Sequence, residues 1–126
     1  MSGSSYLIDT NIALYLLGGD KKVSEILDKN SIYLSFISEL ELLAFKELDE
    51  KEEKIISDFL SNCTIIDVNK KIKDNAIYLR KKYNLKLPDS IIAATAQFLN
   101  IPFITSDLFF RKVKEIPIII YETEIN

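Results

Sequence analysis

Five short apolar runs, each closed off by polar residues, set the strongest limit on how this chain folds: Tyr6-Leu7-Ile8, Ile32-Tyr33-Leu34, Thr64-Ile65-Ile66, Phe103-Ile104-Thr105 and Ile118-Ile119-Ile120. Runs this short, with no polar alternation, read as strands buried on both faces, the pattern of a parallel sheet. Between them the period changes. Ile72, Ala76, Leu79 and Tyr83 recur at spacings of four, three and four, and Ile55, Ile56, Phe59 and Leu60 form a similar stripe, so both segments are predicted as amphipathic helices. Ile91 to Leu99 is apolar nearly all round and holds three alanines, which marks a central helix open to close packing. Gly18-Gly19 breaks the first helix, and Pro88 suits the first turn of the late one. Strands alternating with helices predict an α/β fold on a parallel sheet.

With 126 residues, 48% of them hydrophobic, the chain is expected to form a single domain over 1–126, with 1–5 a flexible start. No apolar run approaches the roughly 20 residues that span a bilayer, and the polar opening lacks the pattern of a signal peptide. A cytoplasmic protein without a membrane segment is expected. Cys63 is the only cysteine, which excludes an intrachain disulfide and Cys-rich zinc sites; beside Leu60, Ile65 and Ile66 it reads as a buried apolar side chain. The chain has no histidine, so the usual general base, the Ser-His-Asp and Cys-His arrangements and the commonest zinc ligand are all missing. If the protein is a hydrolase, carboxylates do the work.

Four acids stand out by position. Asp9 ends the first strand in Leu7-Ile8-Asp9-Thr10-Asn11, and Asp107 follows another in Thr105-Ser106-Asp107. Each is also what a helix N-cap looks like. Glu41 falls within Leu40-Glu41-Leu42-Leu43-Ala44-Phe45, where a carboxylate needs a partner; a capping box with Ser38 competes as an explanation. Asp89 follows Pro88 at the head of the central helix, where a negative charge is favourable in its own right.

Topology makes a group of them. In a parallel sheet all strand C-termini share the edge at which ligands bind, so Asp9 and Asp107 share that edge, and Glu41 lies about a turn into the helix after its strand. Asp89 follows a helix, and periodicity does not place it. Two carboxylates about 4 Å apart repel by roughly 4 kcal/mol at an effective dielectric near 20, so a converging set calls for a cation. An all-oxygen donor set selects Mg²⁺ or Mn²⁺, and the chemistry implied is hydrolysis of a phosphodiester.

Leu7-Ile8-Asp9-Thr10-Asn11, Ser38-x-x-Glu41-Leu42, Leu87-Pro88-Asp89-Ser90-Ile91-Ile92-Ala93-Ala94-Thr95-Ala96 and Ile104-Thr105-Ser106-Asp107 resemble, in order and spacing, the successive motifs of PIN domains. The resemblance spans Tyr6 to Tyr121, and the compact size is most similar to VapC-type toxins. It implies a three-layer α/β sandwich with a central, mostly parallel sheet of about five strands. It also implies Asp9, Glu41, Asp89 and Asp107 as catalytic, metal-binding acids supported by Asn11, Thr105 and Ser38. The implied activity is that of a divalent-metal endoribonuclease, a homodimer held in check by a VapB-like antitoxin whose C-terminal segment blocks the site. Many members carry a second acid after the last motif, where this chain has Leu108-Phe109-Phe110.

Net charge is −3, yet its distribution is uneven: eight acids against three lysines between Glu39 and Asp58, and seven basic residues against Asp74 alone between Asn69 and Lys86. Local field steers a polyanion more than net charge does. Lys70, Lys73, Arg80 and Lys81 on one helix, with Arg111 and Lys112 after Asp107, are candidate RNA contacts, though a solvated helix face carries the same residues. Two rival readings are a non-catalytic PIN-like scaffold that binds protein or RNA and a phosphoryl-transfer module of the receiver or haloacid-dehalogenase kind. The second would carry two closely spaced early aspartates, where this chain has Asn11.

Overall fold

A computed structural model describes residues 3–122. Its five strands make one sheet in the order β3-β2-β1-β4-β5, and every neighbouring pair is parallel. β1 (Ser5–Ile8) is central, between β2 (Ser31–Ser35) and β4 (Phe103–Thr105); β3 (Thr64–Ile66) and β5 (Ile118–Ile120) form the edges. All five apolar runs are therefore strands, and the register sets Tyr6 opposite Ile32 and Ile8 opposite Ile104.

Six α-helices connect them: α1 (Thr10–Leu17), α2 (Lys21–Asp28), α3 (Phe36–Leu43), α4 (Glu50–Ser61), α5 (Lys70–Tyr83) and α6 (Leu87–Leu99), with a 3₁₀ turn over Leu108–Lys112. Local chemistry fixes their ends. The chain leaves α1 at Gly18, and Gly19 takes a φ of 93° that only glycine adopts freely. Asp20 then caps the separate helix α2 by accepting the Val23 N–H. α4 opens with a reciprocal capping box between Asp49 and Glu52. α5 and α6 both stop at an asparagine in the left-handed conformation, Asn84 and Asn100.

The sheet divides the core in two, as alternation along each strand requires. Leu7 and Phe103 point to one side, where Ile72, Leu79, Ile92 and Phe110 pack on them from α5, α6 and the 3₁₀ turn. Ile8 and Ile104 point to the other, against Ile12, Val23, Leu42, Ile56 and Leu60 from α1 to α4. The result is a three-layer α/β sandwich. Truncating a fully buried member such as Leu79 to alanine costs about 2–5 kcal/mol.

Two expectations need correction. The flexible start does not extend to Ser4 and Ser5: Ser4 carries hydrogen bonds to Asn30 and Ser31, and Ser5 opens β1; Met1 and Ser2 lie outside the described residues. Cys63 is half-buried rather than fully so, and burial pushes its thiol up to about 11, which leaves it unreactive. No described helix is long and apolar enough to cross a membrane.

The order of the strands opens a crevice at one edge of the sheet. From β1 the chain steps outward through β2 to β3, then crosses back to β4 and on to β5. The direction of winding reverses between β1 and β4, and the crevice outside the C-termini of those two strands is where open α/β sheets bind ligands.

Candidate active site

Asp9 immediately follows β1, and Thr105 is the last residue of β4, so the two meet at that crevice. Thr105 is fully buried and donates its hydroxyl to Asp9 Oδ2 at 2.7 Å; the same hydroxyl oxygen accepts the Asp107 N–H at 3.0 Å. Asp9 Oδ1 accepts the Thr10 N–H at 2.8 Å, so this aspartate does cap α1. Capping accounts for one of its oxygens. It does not account for burying a carboxylate to 7% exposure beside other acids.

Asp9, Glu41, Asp89 and Asp107 line one cleft of about 450 Å³, together with Thr10, Asn11, Leu14, Ala44 and Phe45. Asp89, which periodicity does not place, lies in the first turn of α6, just after Pro88, and lines this cleft. Glu41 is not in a capping box. Ser35, not Ser38, caps α3 by accepting the Ile37 N–H, and Glu41 projects from the second turn to accept the Thr10 hydroxyl at 2.6 Å. With its proton committed to Glu41, Thr10 Oγ1 accepts from the buried Ser38 hydroxyl at 2.8 Å. Thr10 thereby links α1 to α3, a role that sequence reasoning missed because Thr10 reads only as one more capping residue.

The electrostatics are those of an acid cluster with no cation of its own. Burial pushes the Asp9 carboxyl up to about 6; hydrogen bonds from Thr105 and Thr10 favour its charged form, while the charges on Asp89 and Glu41 disfavour it. Asp89 is also raised, by burial first and then by Asp107 and Glu41, against a smaller opposing effect of Lys86. No basic side chain lines the cleft. The donors are all oxygen, the set that suits Mg²⁺ or Mn²⁺. Among the described residues no three acids form a ready-made metal cage. Three of the four acids are held by hydrogen bonds: Glu41 accepts from Thr10, Asp107 Oδ1 accepts the Phe109 N–H at 2.9 Å, and Asp9 accepts on both oxygens. The donor chemistry fits a hard cation.

Of the supporting residues, Asn11 lines the cleft, while Thr105 and Ser38 act through Asp9 and Thr10. The basic candidates Lys70, Lys73, Arg80, Lys81, Arg111 and Lys112 do not line the cleft. Lys70 pairs with Asp74 at 3.1 Å, and Arg80 donates from Nη1 to the Leu85 carbonyl at 2.6 Å, which steadies the turn into α6. Next to the cleft, sharing Leu14 and Phe45 with it, runs a larger groove of about 690 Å³ with Leu17, Leu48, Ile55 and Ile56 in its walls.

The family model for the PIN domain matches residues 6–116. A search of curated proteins finds no match. Among solved structures, the chain is similar to one in a toxin-antitoxin complex from Klebsiella pneumoniae, with 30% identity, a TM-score of 0.82, and coverage of 94% of this chain and 99% of that one. VapBC2 from Rickettsia felis, bound to a DNA fragment from its promoter, shares the fold at 22% identity and a TM-score of 0.84, over 94% and 99% of the two chains. VapBC-1 from nontypeable Haemophilus influenzae is similar at 25% identity and a TM-score of 0.74, over 92% and 97%.

Proposed function

Because the chain belongs to the PIN-domain family, we propose that it is a Mg²⁺- or Mn²⁺-dependent endoribonuclease and the toxin of a VapBC-type toxin-antitoxin pair. The observation that carries this reading is the convergence of Asp9, Glu41, Asp89 and Asp107 on one cleft at the point where the sheet reverses its winding. These four would hold the cation, which when bound lowers the pKa of a coordinated water and screens the phosphodiester. Thr105 fixes the Asp9 carboxylate through Oδ2, and Thr10 with Ser38 sets the resting position of Glu41. With no histidine in the chain, proton transfer falls to carboxylates and water.

The partner proposed is a VapB-like antitoxin, supported by the toxin-antitoxin complex whose chain this one is similar to. The apolar groove beside the acid cleft is of a size and character to take a peptide segment whose far end would cover the carboxylates. A homodimer also belongs to this reading, and light scattering tests it.

The experiment is cleavage of single-stranded and structured RNA by purified protein, with Mg²⁺ or Mn²⁺ and after chelation, for wild type and Asp9→Asn. Cleavage that needs the cation and is lost in Asp9→Asn with the fold intact supports the proposal. Cleavage that survives chelation refutes the metal part. One observation favours a second reading, a PIN-like scaffold that binds without cutting: among the described residues the acids do not form a ready-made cage. RNA or protein binding with no cleavage under any divalent cation would select it.

A further inference from the structure

The acid cleft continues past its carboxylates. Asp89 and Asp107 also line a second recess, of about 270 Å³, whose other walls are Asn84, Leu85, Lys86 and Phe109. Its chemistry differs from that of the acid cleft. Lys86, the residue that precedes α6, is exposed and forms no ion pair among the described residues, yet its charge is felt at Asp89. Phe109 leaves 43% of its surface in water, although its position is fixed by its own N–H bonding to Asp107. The Lys112 ammonium stands 3.6 Å from the centre of that ring, over one face, so a stacking base takes the opposite face while Lys112 adds positive charge beside the recess. Asn84, held at a φ of 57° by the end of α5, brings an amide to the rim.

An aromatic face, two ammonium groups and an amide beside an acid cluster match the parts of a single-stranded nucleotide, whose base stacks and whose phosphate takes a cation. On the other side of the acid cleft, the groove shared through Leu14 and Phe45 also holds one lysine, Lys46, but sets Glu47 and Glu52 beside it, and two acids against one lysine disfavour a phosphate there. Resting on the ribonuclease reading, we propose that the recess of Lys86 and Phe109 seats the nucleotide adjoining the scissile phosphate, its base on Phe109 and its phosphate at Lys86. The RNA strand then runs from the carboxylates toward Asn84, and the protein reads that nucleotide by stacking rather than by base edges alone.

The test uses a short single-stranded RNA that the wild-type protein cuts at one mapped bond, and the same RNA with an abasic residue placed in turn on either side of that bond. Phe109→Ala raises KM about tenfold on the intact RNA and leaves kcat within about twofold, whereas Phe109→Tyr keeps wild-type KM. An abasic residue at one flanking position raises wild-type KM equally and adds nothing in Phe109→Ala. Lys86→Gln raises KM and flattens its dependence on salt. Circular dichroism confirms that each variant is folded. An unchanged KM in Phe109→Ala, or penalties that add at both abasic positions, overturns the subsite while RNA cleavage by wild type keeps the nuclease reading. A wild-type protein that cuts no RNA overturns both.

Discussion

Thr105 and Asp9, 96 residues apart in the chain, are joined by a 2.7 Å hydrogen bond from the threonine hydroxyl to Asp9 Oδ2, and this bond ties together the ends of the two central strands. The hydroxyl oxygen also accepts the Asp107 N–H, so one buried group sets the side chain of the first acid and the backbone of the last. Asp9 is thus oriented by groups that favour its charge, although burial and its acidic neighbours work against that charge. A site built this way is pre-arranged on rigid strand ends and left electrostatically incomplete.

Thr105→Val is the direct probe of that bond. It keeps the shape of the side chain, removes the donor to Asp9 and leaves the Asp107 N–H without its acceptor. Stability is expected to fall by about 1–3 kcal/mol, read from urea unfolding. RNA cleavage is expected to fall roughly 10–100-fold, the usual effect of removing a group that orients a ligand-bearing side chain. Thr105→Ser, which keeps the hydroxyl, should restore most of the activity.

Asp9→Asn separates the charge from the shape. The folded-state pKa of Asp9, about 6, lies above its ordinary value of 3.8, so the folded protein binds the extra proton between those values. The unfavourable charge is fully present above about pH 6 and is relieved as pH falls toward 3.8; metal-free wild type should therefore gain stability from this group on mild acidification. At pH 7 without divalent cations, Asp9→Asn should be more stable than wild type, by well under the roughly 3 kcal/mol of relieved charge burial, because the amide nitrogen cannot accept one of the two hydrogen bonds that Asp9 receives. The difference should shrink by about pH 5. A variant less stable than wild type at neutral pH would show that the Asp9 charge is compensated in a way the cleft does not reveal.

Most of the fold was legible because the strands are buried on both faces and so announce themselves as uninterrupted apolar runs, and because the α5 stripe of Ile72, Ala76, Leu79 and Tyr83 keeps its period. α2 was harder to see: its cap, Asp20, sits directly after the glycine pair, and the segment Lys21–Asp28 buries only Val23 and Leu27. In the site, Asp9 and Asp107 followed from topology alone, since both come after parallel strands. Asp89 did not, because its place depends on where a helix-to-helix turn ends, and that turn is set by Asn84 and by the Arg80 bond to Leu85. The pairing of Thr10 with Glu41 was invisible for a similar reason: a hydroxyl beside an aspartate reads as a cap until the opposing helix is in place. Lys86, three residues before Asp89, reads in the sequence as one more member of the basic segment; its offset from a helix-opening acid is the one available signal.

The loop after the 3₁₀ turn offers an acid-sensitive contact away from the cleft. Glu115 is desolvated, which works against its charge, yet hydrogen bonds from Lys82 at 2.8 Å and from the Tyr83 hydroxyl at 2.6 Å bring its carboxyl down to about 2. A depressed pKa contributes stability that is complete above the ordinary value of 4.5 and is lost as pH falls toward 2. Glu115→Gln should therefore lower the thermal midpoint at neutral pH and make little difference at about pH 2. Since this tie holds the end of α5 to the segment leading into β5, the loss at neutral pH should appear as faster amide exchange near Lys114 and Ile116.

Asp89 gives the sharpest test of whether the acids await a cation. Its side chain makes no hydrogen bond among the described residues; burial first, and then Asp107 and Glu41, disfavour its charge, and the Lys86 charge offsets this only in part. Asp89→Asn should leave the metal-free protein as stable as wild type or more so. Mg²⁺ should do the opposite: at about 100 times its dissociation constant, one bound ion stabilises the wild type by about 2.7 kcal/mol, and that gain should shrink in Asp89→Asn. The two measurements come from one set of thermal melts, with and without Mg²⁺. A purely structural aspartate would lose stability in both arms, and an acid cluster that binds no cation would show no Mg²⁺ response in either protein; only a metal-binding carboxylate moves the two arms in opposite directions.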